Sequence, residues 1–96
     1  MTELQRDGTA DTMRYHAGQF RAARVALLLK TKTIAAGARM SARTLNEIEQ
    51  SDRGTAMPSE DAVQRLVEFY EGEGVTFLSN AAHGPGIRFK LKRASP

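Results

Sequence analysis

Between Ala17 and Lys30 the apolar positions recur at helical spacing: Phe20, Ala23 and Leu27 share one face, with Leu28 beside them. Arg24 falls on that same face, and a charge there requires a partner, because an unpaired buried charge is costly. Residues 31–38, TKTIAAGA, predict a second, short helix around Ile34 and Ala35. Gly37 weakens it by about 1 kcal/mol relative to alanine. After the connection ARM, Ser41 is suited to cap a third helix that runs to the neighbourhood of Ser51. Met40 before the cap and Leu45 at the fourth helical position are placed to form a hydrophobic staple, with Leu45 and Ile48 as the apolar anchors. Position 44 is Thr rather than Glu, so the reciprocal capping box is absent.

Pro58 and Ser59 open a fourth helix, with Glu60 and Asp61 placed against its N-terminal dipole. Its apolar face is Ala62, Val63, Leu66, Phe69 and Tyr70, and Gly72 and Gly74 stop it. The period then changes from helical to alternating. VTFL at 75–78 and IRFKLK at 87–92 predict two strands joined by a loop. Ile87, Phe89 and Leu91 face one way, and Arg88, Lys90 and Lys92 the other. Residues 1–16 are polar, contain Gly8 and show no period, which predicts a loose arm.

Length and composition narrow the class. Ninety-six residues suit one small domain with a modest core. The chain has no cysteine, so neither a disulfide frame nor a thiolate metal site is expected. His16 and His83 are far apart and belong to no ligand-spaced cluster. The longest apolar run, VALLL at 25–29, is too short to cross a bilayer. The opening residues carry acids and no apolar stretch, which predicts a cytoplasmic protein without a secretory signal. Charge is segregated: residues 14–53 hold eight Lys/Arg against three Asp/Glu, residues 54–78 one against five, and residues 79–96 four against none. Such polarity favours an anionic partner on one side, although solubility alone also segregates charge.

Two short helices joined by a tight connection, the second polar on its outer face, fit a helix-turn-helix. The segment FRAARVALLLKTKTIAAGARMSARTLNEIEQSDRG carries the fuller match. It resembles the DNA-binding domain of the Cro/repressor-like (XRE-type) helix-turn-helix regulators over residues 19–71. The tail GVTFLSNAAHGPGIRFKLK is similar to a C-terminal extension of a subset of bacterial members. The expected fold is therefore mainly α: a repressor-like domain of four to five helices at 17–72, then a β-hairpin at 73–93 and a tail at 94–96.

The resemblance implies roles residue by residue. Arg24 matches the first-helix arginine that pairs with a glutamate late in the recognition helix, and Glu49 matches that glutamate. The spacing agrees, since Glu49 lies four after Leu45, turned towards the core. The alternative is two exposed charges contributing under ~1 kcal/mol together. In the family the recognition helix enters the major groove N-terminus first. That presents Ala42, Arg43, Asn46 and Glu47 to base edges, with Ser41 and Thr44 near the backbone. Arginine suits guanine O6 and N7, asparagine suits adenine, glutamate accepts from cytosine N4, and Ala42 offers a methyl contact. The competing reading is an ordinary solvated helix face. Lys30, Lys32, Arg39 and Arg53 flank the helix pair and are candidates for phosphate contact, with Thr31 adding a neutral hydrogen bond; each also fits a solvated face.

The departures are specific. Thr31 stands where the family has a glutamine that opens the second helix, and Lys30 replaces the usual serine cap. Arg39 occupies a turn position where the family prefers glycine for its positive φ. An arginine there costs about 1 kcal/mol unless the turn differs locally. Gly37, two residues earlier, is where a shifted turn would begin.

For the hairpin, Val75, Phe77, Ile87, Phe89 and Leu91 are expected to form a dimerisation element, because a lone hairpin is marginal in water and an open edge invites another strand. The alternative is that the hairpin covers its own helices over Leu66 and Phe69. An enzyme is not expected: no nucleophile–histidine arrangement, paired acids or phosphate-cradling loop is present, and GEG at 72–74 and HGPG at 83–86 fit turns. The expected function is a dimeric, sequence-specific regulator, a repressor binding an inverted-repeat operator in double-stranded DNA, with no cofactor, metal, small-molecule ligand or membrane partner. The rival class is a protein-binding module on the same fold, an antiactivator or an antitoxin with a partner protein.

Overall fold

The computed structural model describes residues 15–53, 58–80 and 84–90. Among these, four α-helices precede a two-stranded antiparallel hairpin: α1 (Ala17–Leu27), α2 (Thr31–Gly37), α3 (Ala42–Glu49), α4 (Glu60–Gly72), β1 (Val75–Asn80) and β2 (Gly84–Phe89). A single 3-10 turn, Ser51–Arg53, follows α3. The core is one cluster in which Phe20, Ala23, Ile34, Leu45, Ile48, Val63, Leu66, Val67, Tyr70 and Val75 are buried.

The start of α1 differs from the expected loose arm. His16 caps the helix: its Nδ1 accepts from the Gly18 N–H at 2.9 Å, and Gln19 Oε1 accepts from the His16 N–H at 2.7 Å. Tyr15 packs between Phe20 and Phe77, with ring centroids at 5.9 and 5.6 Å. Both residues therefore belong to the fold, and the rest of the proposed arm, 1–14, lies outside the described residues.

At its other end α1 stops at Leu27 rather than Lys30. Leu28 takes a left-handed conformation, φ 58, and its N–H closes the helix on the carbonyls of Arg24 and Val25. Its side chain, placed beside the apolar face by the periodicity, is instead 86% exposed. The chain must turn there to carry Leu29 and Ile34 towards the core.

The connection from α2 to α3 is a Schellman turn with arginine in the glycine position. Arg39 has φ 59, its N–H bonds Ala36 O at 3.1 Å, and the Met40 N–H bonds Ala35 O at 2.9 Å. The turn is therefore not shifted, and Gly37 has another role. A Cβ on Gly37 would stand 2.3 Å from Phe69 Cε1, so its lack of a side chain makes room for α4. Beside it, Arg65 Nε donates to Ala38 O at 3.2 Å and Arg65 pairs with Asp61. Asp61, Arg65 and Phe69 form one stripe of α4, and it grips the end of α2.

Ser41 caps α3 by accepting from the Thr44 N–H at 3.0 Å, and Ser59 caps α4 by accepting from the Ala62 N–H at 3.2 Å. On α4 the buried face includes Val67, which the periodicity omitted, while Phe69 is only half-buried.

The hairpin pairs Val75 with Phe89, Phe77 with Ile87 and Ser79 with Pro85. Its strands run further towards the turn than alternation predicted, because Gly84, Pro85 and Gly86 lie in β2 and not in a turn. His83 lies outside the described residues. The hairpin lies against the protein's own helices, β1 on α4 and β2 on α1. Val75 is buried in the protein's own core, and Phe77, Ile87 and Phe89 are partly buried against it. These four side chains thus pack within one copy of the chain, and Leu91 lies outside the described residues.

Gln19 holds the hairpin in place. Its Nε2 donates to Leu78 O at 3.0 Å and to Gly86 O at 2.8 Å, carbonyls that face each other in the register. No helix among the described residues is long and apolar enough to cross a membrane.

Candidate nucleic-acid interface

The amphipathic pattern of α3 decides which side chains are free to meet a partner. Leu45, Ile48 and Glu49 are buried, and Ala42, Arg43 and Asn46 are exposed on the opposite side, with Glu47 half-buried beside them. All four base-reading candidates thus share the outer face of one helix. Arg43 Nε donates to Glu47 Oε2 at 3.3 Å, with the two side chains 85% and 36% exposed. Ser41 and Thr44 are coupled across the first turn, where Ser41 Oγ donates to Thr44 Oγ1 at 3.1 Å while accepting from the Thr44 N–H.

The phosphate candidates lie in three places. Lys30, Thr31 and Lys32 are exposed at the start of α2, which has no side-chain cap. Arg39 is exposed in the turn, and Arg53 is exposed in the 3-10 turn, its Nη1 at 3.4 Å from Gln50 Oε1.

Behind this surface α3 is fixed to α1 by charge. Arg24 Nε donates to Glu49 Oε1 at 3.1 Å and Oε2 at 3.0 Å. The bond to Glu49, opposed by partial burial, holds the Arg24 guanidinium above its ordinary range. A second clamp, which the sequence did not predict, joins α1 to the end of α3 and the 3-10 turn that follows it. Arg21 meets Asp52 through two bonds of 3.0 Å and also donates to the backbone carbonyl of Glu49. The Arg21 bond keeps the Asp52 carboxyl below its usual range. Spacing offered one signal for it: Arg21 is a turn ahead of Arg24, and Asp52 follows Glu49 by three.

Tyr70 lies near this pair. Its hydroxyl is buried and has no hydrogen-bond partner among the described residues. Burial pushes its ionisation well above the ordinary tyrosine range, the charge of Glu49 adds to the effect, and Arg24 partly offsets it.

No group of His, Cys, Asp and Glu among the described residues is arranged to hold a metal ion. Among the described residues, the exposed large apolar side chains are Val25 and Leu28, one turn apart at the end of α1. Compared with known proteins, the chain matches no family model, no curated protein and no solved structure.

Proposed function

We propose that the protein is a sequence-specific double-stranded-DNA-binding regulator, with α2 and α3 acting as a helix-turn-helix and α3 reading the major groove. The observation that carries this reading is the outer face of α3. Arg43 and Asn46 project from a helix whose opposite side is locked by Arg24–Glu49 and whose approach is set by the Arg39 turn. A recognition surface must hold its reading groups in register, and this one rests on a helix rather than a loop. Arg43 suits guanine O6 and N7, Asn46 suits adenine, and Ala42 suits a thymine methyl. Lys30, Thr31, Lys32, Arg39, Ser41, Thr44 and Arg53 supply the surrounding cations and hydroxyls for phosphates. Repression from an inverted-repeat operator is the regulatory form proposed, in a cytoplasmic protein with no catalytic step.

A second copy belongs to the proposal through the open backbone edges of β1 and β2 rather than through their apolar side chains, which are already packed. A second reading, in which the fold holds a partner protein, is favoured by one observation. Leu28 exposes its side chain at a conformation that costs an L-residue about 1–2 kcal/mol, and Val25 lies exposed beside it.

Selection from a pool of random duplexes at low salt tests the proposal. Enrichment of a defined motif is expected, with two half-sites about one helical turn apart for a dimer or a single half-site for a monomer. A pool that shows no enrichment contradicts DNA reading and leaves the protein-binding module.

A further inference from the structure

Arg43 and Glu47 are both candidates for reading bases, yet the structure joins them to each other. The bond runs from Arg43 Nε to Glu47 Oε2 at 3.3 Å. A guanidinium has two usable edges, one formed by Nε with an Nη and one formed by the two Nη groups. With Nε turned to Glu47, the end formed by Nη1 and Nη2 is left facing outward, and it has no hydrogen bond to any described residue. That end presents the parallel pair of donors that matches guanine O6 and N7.

We propose that Glu47 is a positioning residue: it sets Arg43 for end-on recognition of guanine, and does not itself read a base. This rests on the DNA-reading function proposed above. Two physical considerations support the assignment. An arginine that is 85% exposed and unpaired samples many rotamers, and fixing it on binding costs conformational entropy. Glu47, one helical turn further on, restricts that search before DNA arrives. The second is electrostatic. A lone carboxylate held against phosphates is repelled, whereas a carboxylate neutralised by its own arginine enters the groove as part of a pair. Such a use gives Glu47 a place on a DNA-facing surface without a cytosine to accept from.

The test uses the full chain and duplexes that carry the selected motif or a single G·C to A·T change at the Arg43 position. Glu47→Ala is expected to lower the preference for guanine by about two- to five-fold, the scale of an exposed i,i+4 pair. Glu47→Gln, whose side-chain carbonyl still accepts from Nε, is expected to keep most of that preference. In an Arg43→Ala background, Glu47→Ala should change nothing further. In the free protein, the Arg43 Nε–H resonance should sharpen with Glu47 present and exchange faster with water in Glu47→Ala. Loss of preference at a cytosine position, equal in both backgrounds, would make Glu47 a base reader and overturn the proposal. Equal guanine preference in parent, Glu47→Ala and Glu47→Gln would overturn it while leaving DNA reading intact. A parent chain that selects no motif would remove both.

Discussion

Glu49 lies buried with both carboxylate oxygens on Arg24 Nε, so removing it strands a cation against the core side of α1. Glu47, two residues away by number and half-exposed, is not buried against the core in this way. Glu49→Ala is therefore expected to cost about 2–3 kcal/mol, below the full penalty of a deeply buried pair because Arg24 keeps a third of its side chain in solvent. Glu47→Ala should cost under ~0.5 kcal/mol. Thermal or urea unfolding of the two variants side by side measures the difference, and equal stabilities would contradict the pair's role. Tyr70 supplies a second residue-scale prediction. Its folded state holds the phenolic proton more tightly than the unfolded chain does, so stability is retained below the ordinary tyrosine range and declines as pH rises through it. Tyr70→Phe removes a buried hydroxyl that has no partner among the described residues and should raise stability by about 1 kcal/mol, with a flatter decline in alkali. Unfolding curves at neutral pH and above pH ~10 check both parts.

At the scale of elements, the placement of α2 depends on α4 through Gly37 and Phe69. By propensity alone Gly37→Ala stabilises a helix by about 1 kcal/mol. Here the new Cβ meets the Phe69 ring at 2.3 Å, so the substitution is expected to destabilise the protein, and combining it with Phe69→Ala should restore the helical gain. A double-mutant cycle in unfolding free energy reads this coupling, and additive effects would contradict it. Gln19 is the equivalent for the hairpin. Gln19→Leu fits the buried site in size but withdraws a donor from Leu78 O and Gly86 O and an acceptor from the His16 N–H. Amide exchange in β1 and β2 should quicken by at least about ten-fold, an order-of-magnitude reading of unmet buried groups.

These elements also mark what was legible in the sequence. The helix cores, the Ser41 and Ser59 caps and the outward set on α3 follow from spacing, because burial on one face leaves its own period. The Arg24–Glu49 pair was accessible because both charges fall on apolar faces. Gln19, Arg65 and Gly37 were not, since their partners are carbonyls and a ring that only the tertiary arrangement brings near. Pro85 and two glycines in β2 imitate a turn, and the sheet tolerates them because, among the described residues, each strand is paired on one edge only. Leu28 is apolar and falls beside the helical face by spacing, while its position is decided by the chain reversal after α1.

Across the whole molecule, charge and surface divide the work. Residues 14–53, which include α1 to α3, carry eight cations against three anions, and residues 54–78, which include α4, carry five acids against one arginine. Association with a polyanion should therefore weaken steeply with salt, as phosphate contacts release counterions. The central claim is that the outer face of α3 reads bases while the flanking cations only hold the backbone. The most direct measurement is the affinity of the parent, Arg43→Ala and Lys32→Ala for a selected duplex and for a scrambled one, over a series of salt concentrations. Arg43→Ala is predicted to lose roughly 1–3 kcal/mol on the selected duplex and far less on the scrambled one. Lys32→Ala is predicted to weaken both alike and to flatten the salt slope by about one unit. Equal losses on the two duplexes for Arg43→Ala would contradict the claim, because the residue would then be touching phosphate and not a base.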